Sequence, residues 1–290
     1  MKSNTLSARA GLCLSMAIFG TIALFTRAIP LSAGELALLR AVLAACFVAV
    51  YMRAKGQRIS LAAIRPALPL LLLSGVAMGF NWILLFEAYR YTTVSNATLS
   101  YYFAPVIVTA VSPLLFRERM TMMQLLCFVM STLGLALVIG VGDLAASGTH
   151  ITGILFGLGA ACLYATVILL TKRIRTVSGL ERTLIQFIAA ILVLTPYVLA
   201  TSGIHLGALN LPGVLCLLVL GLVHTGMAYC MYFSSLKDLP GQEAAILSYI
   251  DPLVAVLISV AVLGEGMTLT QAVGGALLLS FTLLNERASS

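Results

Sequence analysis

Charge is what this sequence has least of. Its 290 residues include seventeen Lys and Arg and ten Asp and Glu, 9% of the chain, where a soluble domain carries about a quarter. Apolar residues make up 61%, and the mean hydropathy is +1.07. A soluble enzyme, a disordered chain and a nucleic-acid binder are all poor readings, because each needs a charged or hydrated surface. Histidine is almost as scarce: His150, His205 and His224 are the three, and no Ser–His–Asp set can be drawn from them. There is no GxxxxGK[ST] loop, so ATP does not drive this protein from its own chain, and no HExxH run to hold a metal. Cys13, Cys46, Cys127, Cys162, Cys216 and Cys230 show no CxxC spacing and read as small hydrophobes inside apolar runs. The sequence therefore predicts no enzyme, no cofactor and no metal.

What it has instead is long apolar runs. A spanning helix needs about 20 mostly apolar residues, and ten stretches satisfy this: 8–28, 35–53, 66–89, 94–116, 121–141, 151–171, 181–201, 211–234, 242–263 and 268–285. The first, after Lys2 and Arg9, has the flank of a signal peptide. Nine further spans and no small-residue cleavage pattern before Pro30 favour its retention. The connections are too short for a soluble domain. With the N-terminus in the cytoplasm, fourteen Lys and Arg fall on that side, among them Arg9, Arg53, Lys55, Arg58, Arg65, Arg117, Arg119, Lys172, Arg173, Arg175 and Lys237. Only Arg27 and Arg90 fall outside, and Arg40 lies within the second span. That bias places both termini in the cytoplasm and accounts for the net +7 as topology.

The two halves resemble each other. At a shift of 147 residues, Ser95–Gln124 lies on Gln242–Gln271 with eight of thirty positions identical: Ala97/Ala244, Tyr102/Tyr249, Pro105/Pro252, Ser112/Ser259, Glu118/Glu265, Met120/Met267, Thr121/Thr268 and Gln124/Gln271. Apolar bias explains Ala but not Tyr, Pro, Glu and Gln in register. Each repeat, 1–145 and 146–290, holds five spans, and an odd number makes the second run through the membrane in the opposite sense. The loop charges agree, Arg117-Glu118-Arg119 against Gly264-Glu265-Gly266. The expected fold class is an all-α membrane protein of ten transmembrane helices in two inverted five-helix repeats. Such repeats are a recurring plan of secondary transporters, which hold substrate near the midplane between halves.

The paired signatures SYYFAPV…FRERMT and LSYIDPL…LGEGMT, together with LSMAIFGTIALFTRAI and LGAACLYATVILLTKRI at the start of each half, resemble the EamA-type family of the drug/metabolite transporter superfamily. The resemblance covers essentially the whole chain. It implies a small-metabolite transporter of a cell membrane, a bacterial inner membrane in particular, with a central cavity lined mainly by spans 1, 3, 4, 6, 8 and 9. Within the family, an exporter of aromatic amino acids is the nearer likeness.

Ionisable residues at membrane depth are functional candidates by default. Asp251 stands about 13 Å into the ninth span at 1.5 Å per residue, beside Pro252, which cannot donate to the carbonyl of Ser248. It reads either as a polar point on the substrate path or as a brace for the kink. His224 in the eighth span pairs with it in a proton relay or is a lone histidine bonded within the bundle. Glu87 and Arg40 match in depth and suggest a buried ion pair, structural or an outer gate. Glu118 and Glu265 are expected to brace or cap the helices that follow them.

Polar aromatics point to substrate more directly. Trp82 beside Asn81, Tyr101 and Tyr102, Tyr164, Tyr229, Tyr232 and Tyr249 stand mid-span, where rings with a polar handle can stack a flat solute. Tyr51, Tyr89, Tyr91 and Tyr197 suit an interfacial belt instead. Gly75/Gly79 and Gly153/Gly157 form GxxxG packing faces, and Pro105 and Pro252 are the hinge candidates. The reading is a secondary transporter exporting small metabolites, amino acids above all, by alternating access through a central cavity, with the bilayer and the solute as partners and no second chain needed. A multidrug or organic-cation exporter with Asp251 holding the cation is the alternative, and a non-transporting membrane receptor or enzyme the reading from another class.

Overall fold

The computed structural model describes residues 2–57, 59–116, 120–139, 148–174 and 176–289, and every regular element among them is helical. Arg58, Arg117, Glu118, Arg119, Arg175 and the junction between residues 145 and 146 lie outside the described residues. In chain order the α-helices are α1 (Lys2–Gly20), α2 (Ile22–Arg27), α3 (Ala33–Ala54), α4 (Leu61–Tyr91), α5 (Val94–Tyr101), α6 (Ala104–Phe116) and α7 (Met122–Ile139). They continue as α8 (Gly148–Lys172), α9 (Gly179–Thr201), α10 (Leu211–Leu218), α11 (Ala228–Leu236), α12 (Gly241–Ser248), α13 (Ile250–Ala261) and α14 (Leu269–Ser289). Between α10 and α11 the chain runs through a π-helix, Val219–Met227.

Among the described residues eight segments are long and apolar enough to cross a membrane, and two shorter apolar helices, Ile246–Ala261 and Leu269–Asn285, stand where the sequence placed its last two spans. Their outer surface is greasy: Leu155, Leu192, Leu215 and Leu257 are each more than half exposed. That surface suits hydrocarbon, while the helices satisfy their own backbone polar groups.

Start signals recur in pairs along the chain. Ser32 and Glu35 form a capping box at α3, and Ser178 and Glu181 form one at α9. Thr121 and Gln124 exchange the same two bonds at α7 (2.9 and 3.2 Å), as Thr268 and Gln271 do at α14 (3.0 and 3.2 Å). These reciprocal caps explain why Thr and Gln recur at the 147-residue shift. Gly56 and Gly203, with φ of 65° and 73°, close α3 and α9 in the left-handed conformation that side chains resist.

Three of the crossing segments break midway. α5 ends at Tyr101 and α6 begins at Ala104; α12 ends at Ser248 and α13 begins at Ile250. Pro105 has no N–H for the carbonyl of Tyr101, nor Pro252 for that of Ser248, so both interruptions follow from the paired prolines. Between α1 and α2 the break falls at Thr21, whose hydroxyl bonds back to the Ile18 carbonyl at 2.8 Å. Glycine then lets the backbones touch. A Cβ on Gly20 would stand 2.6 Å from the Asp251 carbonyl oxygen, which seats the α1 break against the start of α13. Gly134 and Gly274 make α7 and α14 cross with each residue against the other's carbonyl. Gly75 meets Ala189 and Gln186 on α9, so that GxxxG face is packing.

Candidate functional site

Tyr102 caps the C-terminus of α5, and its hydroxyl donates to Asp251 Oδ2 at 2.6 Å. Asp251 lies in the first turn of α13, so the bond joins the two broken helices across the bundle. Tyr249, at the matching break, lies 6.4 Å from Tyr102 between ring centroids. Tyr101 stands edge-on to Tyr102 at 5.9 Å and stacks on Tyr164 of α8 at 5.2 Å. Four tyrosines from three spans thus form a run of rings that reaches Asp251 through Tyr102.

A second aromatic train adjoins them. Trp82 of α4 meets Phe187 of α9 (5.6 Å), Phe187 meets Tyr229 of α11 (5.5 Å), and Tyr229 meets Phe19 of α1 (5.3 Å) and Phe233 (6.1 Å), which abuts Tyr232 (5.0 Å). Asn81 turns away from this train: it is 2% exposed, and its amide donates to the Ala160 carbonyl of α8 at 2.6 Å, bracing two helices.

Two expected pairings resolve differently. Glu87 pairs with Arg90, three residues on along its own helix, at 3.3 Å, and not with Arg40. Arg40 instead donates through Nε to Thr225 Oγ1 at 2.6 Å and lays its guanidinium over Trp82 at 4.4 Å and Phe86 at 5.5 Å. Sequence depth matched Arg40 to Glu87 but carried no azimuth: Glu87 keeps its local partner, and the central aromatic faces take the guanidinium. His224 bonds Thr21 Oγ1 at 2.8 Å and the Val219 carbonyl at 3.3 Å, while Asp251 is held by Tyr102, so no hydrogen bond links the two.

The π-helix that carries His224 and Thr225 was not legible in the sequence. Its wide turn lets Thr225 Oγ1 reach the Leu220 carbonyl five residues back (2.8 Å), and such segments recur at functional sites. Gly221 and Gly226 press it against Leu43 and Phe47 of α3, which brings Thr225 to Arg40.

The ends of the bundle differ. At one end Arg27 pairs with Glu265 (2.6 Å) and donates to the carbonyls of Tyr89 (3.1 Å) and Thr92 (3.3 Å). Glu265 in turn accepts from the Val94 N–H at 2.8 Å and from the Ser259 hydroxyl. It therefore caps α5 of the other half, where a cap on the helix after it was expected. Four segments are tied there. At the other end a cavity of about 410 Å³ opens between α1, α3 and α11, lined by Gly11, Phe47, Tyr51, Cys230, Ser234 and Asp238.

A model of the EamA-like transporter family matches the chain twice, over residues 7–140 and 151–286. An uncharacterized transporter of Bacillus subtilis, YxxF, is 29% identical over 265 residues, 90% of this chain and 83% of its own. An uncharacterized transporter of Archaeoglobus fulgidus is 32% identical over 203 residues, 69% of this chain and 70% of its own. A solved crystal structure superposes with a TM-score of 0.67 over 96% of this chain and 97% of its own, at 18% identity, a likeness of fold.

Proposed function

Because the chain belongs to the EamA-like transporter family, we propose that it exports amino acids, aromatic ones foremost, by alternating access at the Tyr102–Asp251 cluster. In this reading it crosses a bacterial inner membrane ten times, with both termini cytoplasmic, as repeats 1–145 and 146–290 of opposite orientation. The double family match and the helix breaks at Tyr102 and Tyr249 support that plan.

The observation that carries the substrate reading is the carboxyl group of Asp251 bonded to Tyr102, whose ring meets Tyr101 and Tyr249 and, through Tyr101, Tyr164. Ring faces receive an aromatic or apolar side chain, and Asp251 receives an ammonium group, shared with the Tyr102 hydroxyl. The Arg27–Glu265 network is the outer closure, and the cavity at the N-terminal end is the inward route. Rocking of the halves about Pro105 and Pro252 exchanges the two openings. One chain encloses the path.

The carboxylate in an aromatic surround also fits a second reading, export of organic cations. Flux of radiolabelled phenylalanine into proteoliposomes, with and without an aromatic amine as competitor, separates the two. Saturable phenylalanine flux lost in Asp251→Asn supports the first; amine flux with no phenylalanine flux overturns it.

A further inference from the structure

We propose that Arg40 is the residue that binds the carboxylate of the transported solute. The inference rests on the amino-acid reading above and names the other pole of the same site.

Arg40 stands about 10 Å into α3 at 1.5 Å per residue, and it is 3% exposed. A buried cation is costly unless something neutralises it. Among the described residues nothing does. Its Nε is bonded to Thr225, its plane lies on Trp82 and Phe86, and its two terminal nitrogens take no hydrogen bond. Four acids of the spans and their outer ends are engaged elsewhere: Glu35 by Ser32 and His205, Glu87 by Arg90, Asp251 by Tyr102 and Glu265 by Arg27.

Thr225 holds the Nε edge of the guanidinium, and the Trp82 and Phe86 rings lie against its central carbon, which leaves the Nη fork as the part open to a ligand. A planar fork with unused donors matches the two oxygens of a carboxylate. Its surroundings belong to the site. Trp82, against which Arg40 lies, belongs to the core cluster on which Tyr101 and Tyr229 pack, and Tyr101 meets the Tyr102 that holds Asp251. The cation and the carboxyl group therefore flank one set of aromatic rings, as the ends of a zwitterion with an apolar side chain require. An organic-cation site has no use for a buried arginine here.

Trp82 makes the proposal testable, because it is the one tryptophan in the chain and lies against Arg40. The full-length protein, purified in detergent, is titrated with phenylalanine, 3-phenylpropanoate, phenylalaninamide and phenethylamine while its tryptophan emission is followed. Flux of the same four is measured in proteoliposomes. The two carboxylates are expected to shift the emission saturably, with half-saturation at least tenfold lower than for the amide and the amine, the scale of a charge-assisted bond. Arg40→Gln is expected to erase that preference with helicity unchanged by circular dichroism, and Arg40→Lys, which keeps charge without the fork, to retain part of it. Equal response to acids and to the uncharged or amine analogues overturns the proposal, as does a flat signal with all four, or a folded Arg40→Gln that keeps the preference. Should Arg40→Gln fail to fold, the wild-type series alone decides. Carboxylate-selective emission without flux leaves the subsite standing and removes the amino-acid transport reading; flux indifferent to the carboxylate does the reverse.

Discussion

Substituting Glu265→Gln strikes the knot that closes one end of the bundle. The side chain keeps its size, so the change is electrostatic. Its pair with Arg27 is partly wet, with side-chain exposures of 33% and 12%, and solvent screening limits that loss to about 1 kcal/mol or less. The bonds from the Val94 N–H and the Ser259 hydroxyl pass from charge-assisted to neutral, at about 1 kcal/mol each. A weakening of about 2–3 kcal/mol follows, and all of it falls on the state in which this end is shut. The equilibrium between openings should move roughly 30- to 160-fold. Two cysteines read it. Ala23, buried one turn before Arg27, is changed to Cys in a chain whose other cysteines except Cys230 have been replaced; Cys230 lines the cavity at the opposite end. Membrane-impermeant maleimide applied from each side should label position 23 faster in Glu265→Gln and Cys230 more slowly. If both rates rise, the bundle has loosened; if neither moves, the knot is no gate. Either result refutes the reasoning.

Three further outcomes follow from the same geometry. Tyr102→Phe removes the 2.6 Å bond to Asp251 and should lower amino-acid kcat/KM by about ten- to a hundredfold in proteoliposome flux, with thermal stability near that of the parent. Gly274→Ala places a Cβ 2.6 Å from the Gly134 carbonyl oxygen and should cost about 1–3 kcal/mol by denaturant titration, whereas Gly266→Ala, with nothing within 4 Å, should cost nothing measurable. Ser32→Ala and Ser178→Ala each remove one leg of a capping box and should each cost about 1 kcal/mol by the same titration.

Much of the fold was legible because a bilayer dictates length. A helix must be apolar for its whole crossing, so segment positions follow from composition to within a few residues. The repeat was legible for a different reason. Tyr102/Tyr249, Pro105/Pro252, Thr121/Thr268 and Gln124/Gln271 mark helix breaks and caps, which are local and leave their signature in the residues that make them. Non-local choices were hidden. Glu265 caps a helix 171 residues away, and Arg40 finds Thr225 at a separation of 185, where depth alone suggested Glu87. The π-helix has no residue pattern of its own; only Gly221 and Gly226, flat against α3, hint at it.

One non-local arrangement does carry a sequence signal. The boxes Ser32-Ala33-Gly34-Glu35 and Ser178-Gly179-Leu180-Glu181 stand 146 residues apart. Each glutamate also accepts from a backbone N–H beyond the second helix of the opposite half, Glu35 from His205 (2.6 Å) and Glu181 from Ser60 (2.8 Å). The pair is a two-fold brace between α3 and α9, and the S-x-x-E spacing was its signal.

Flux of radiolabelled phenylalanine in proteoliposomes of the full-length protein tests amino-acid export most directly. Saturable transport above protein-free vesicles is expected, accelerated by unlabelled phenylalanine on the far side and lost in Asp251→Asn. Phenylalanine flux no greater than in empty vesicles, beside robust flux of an aromatic amine, would contradict it.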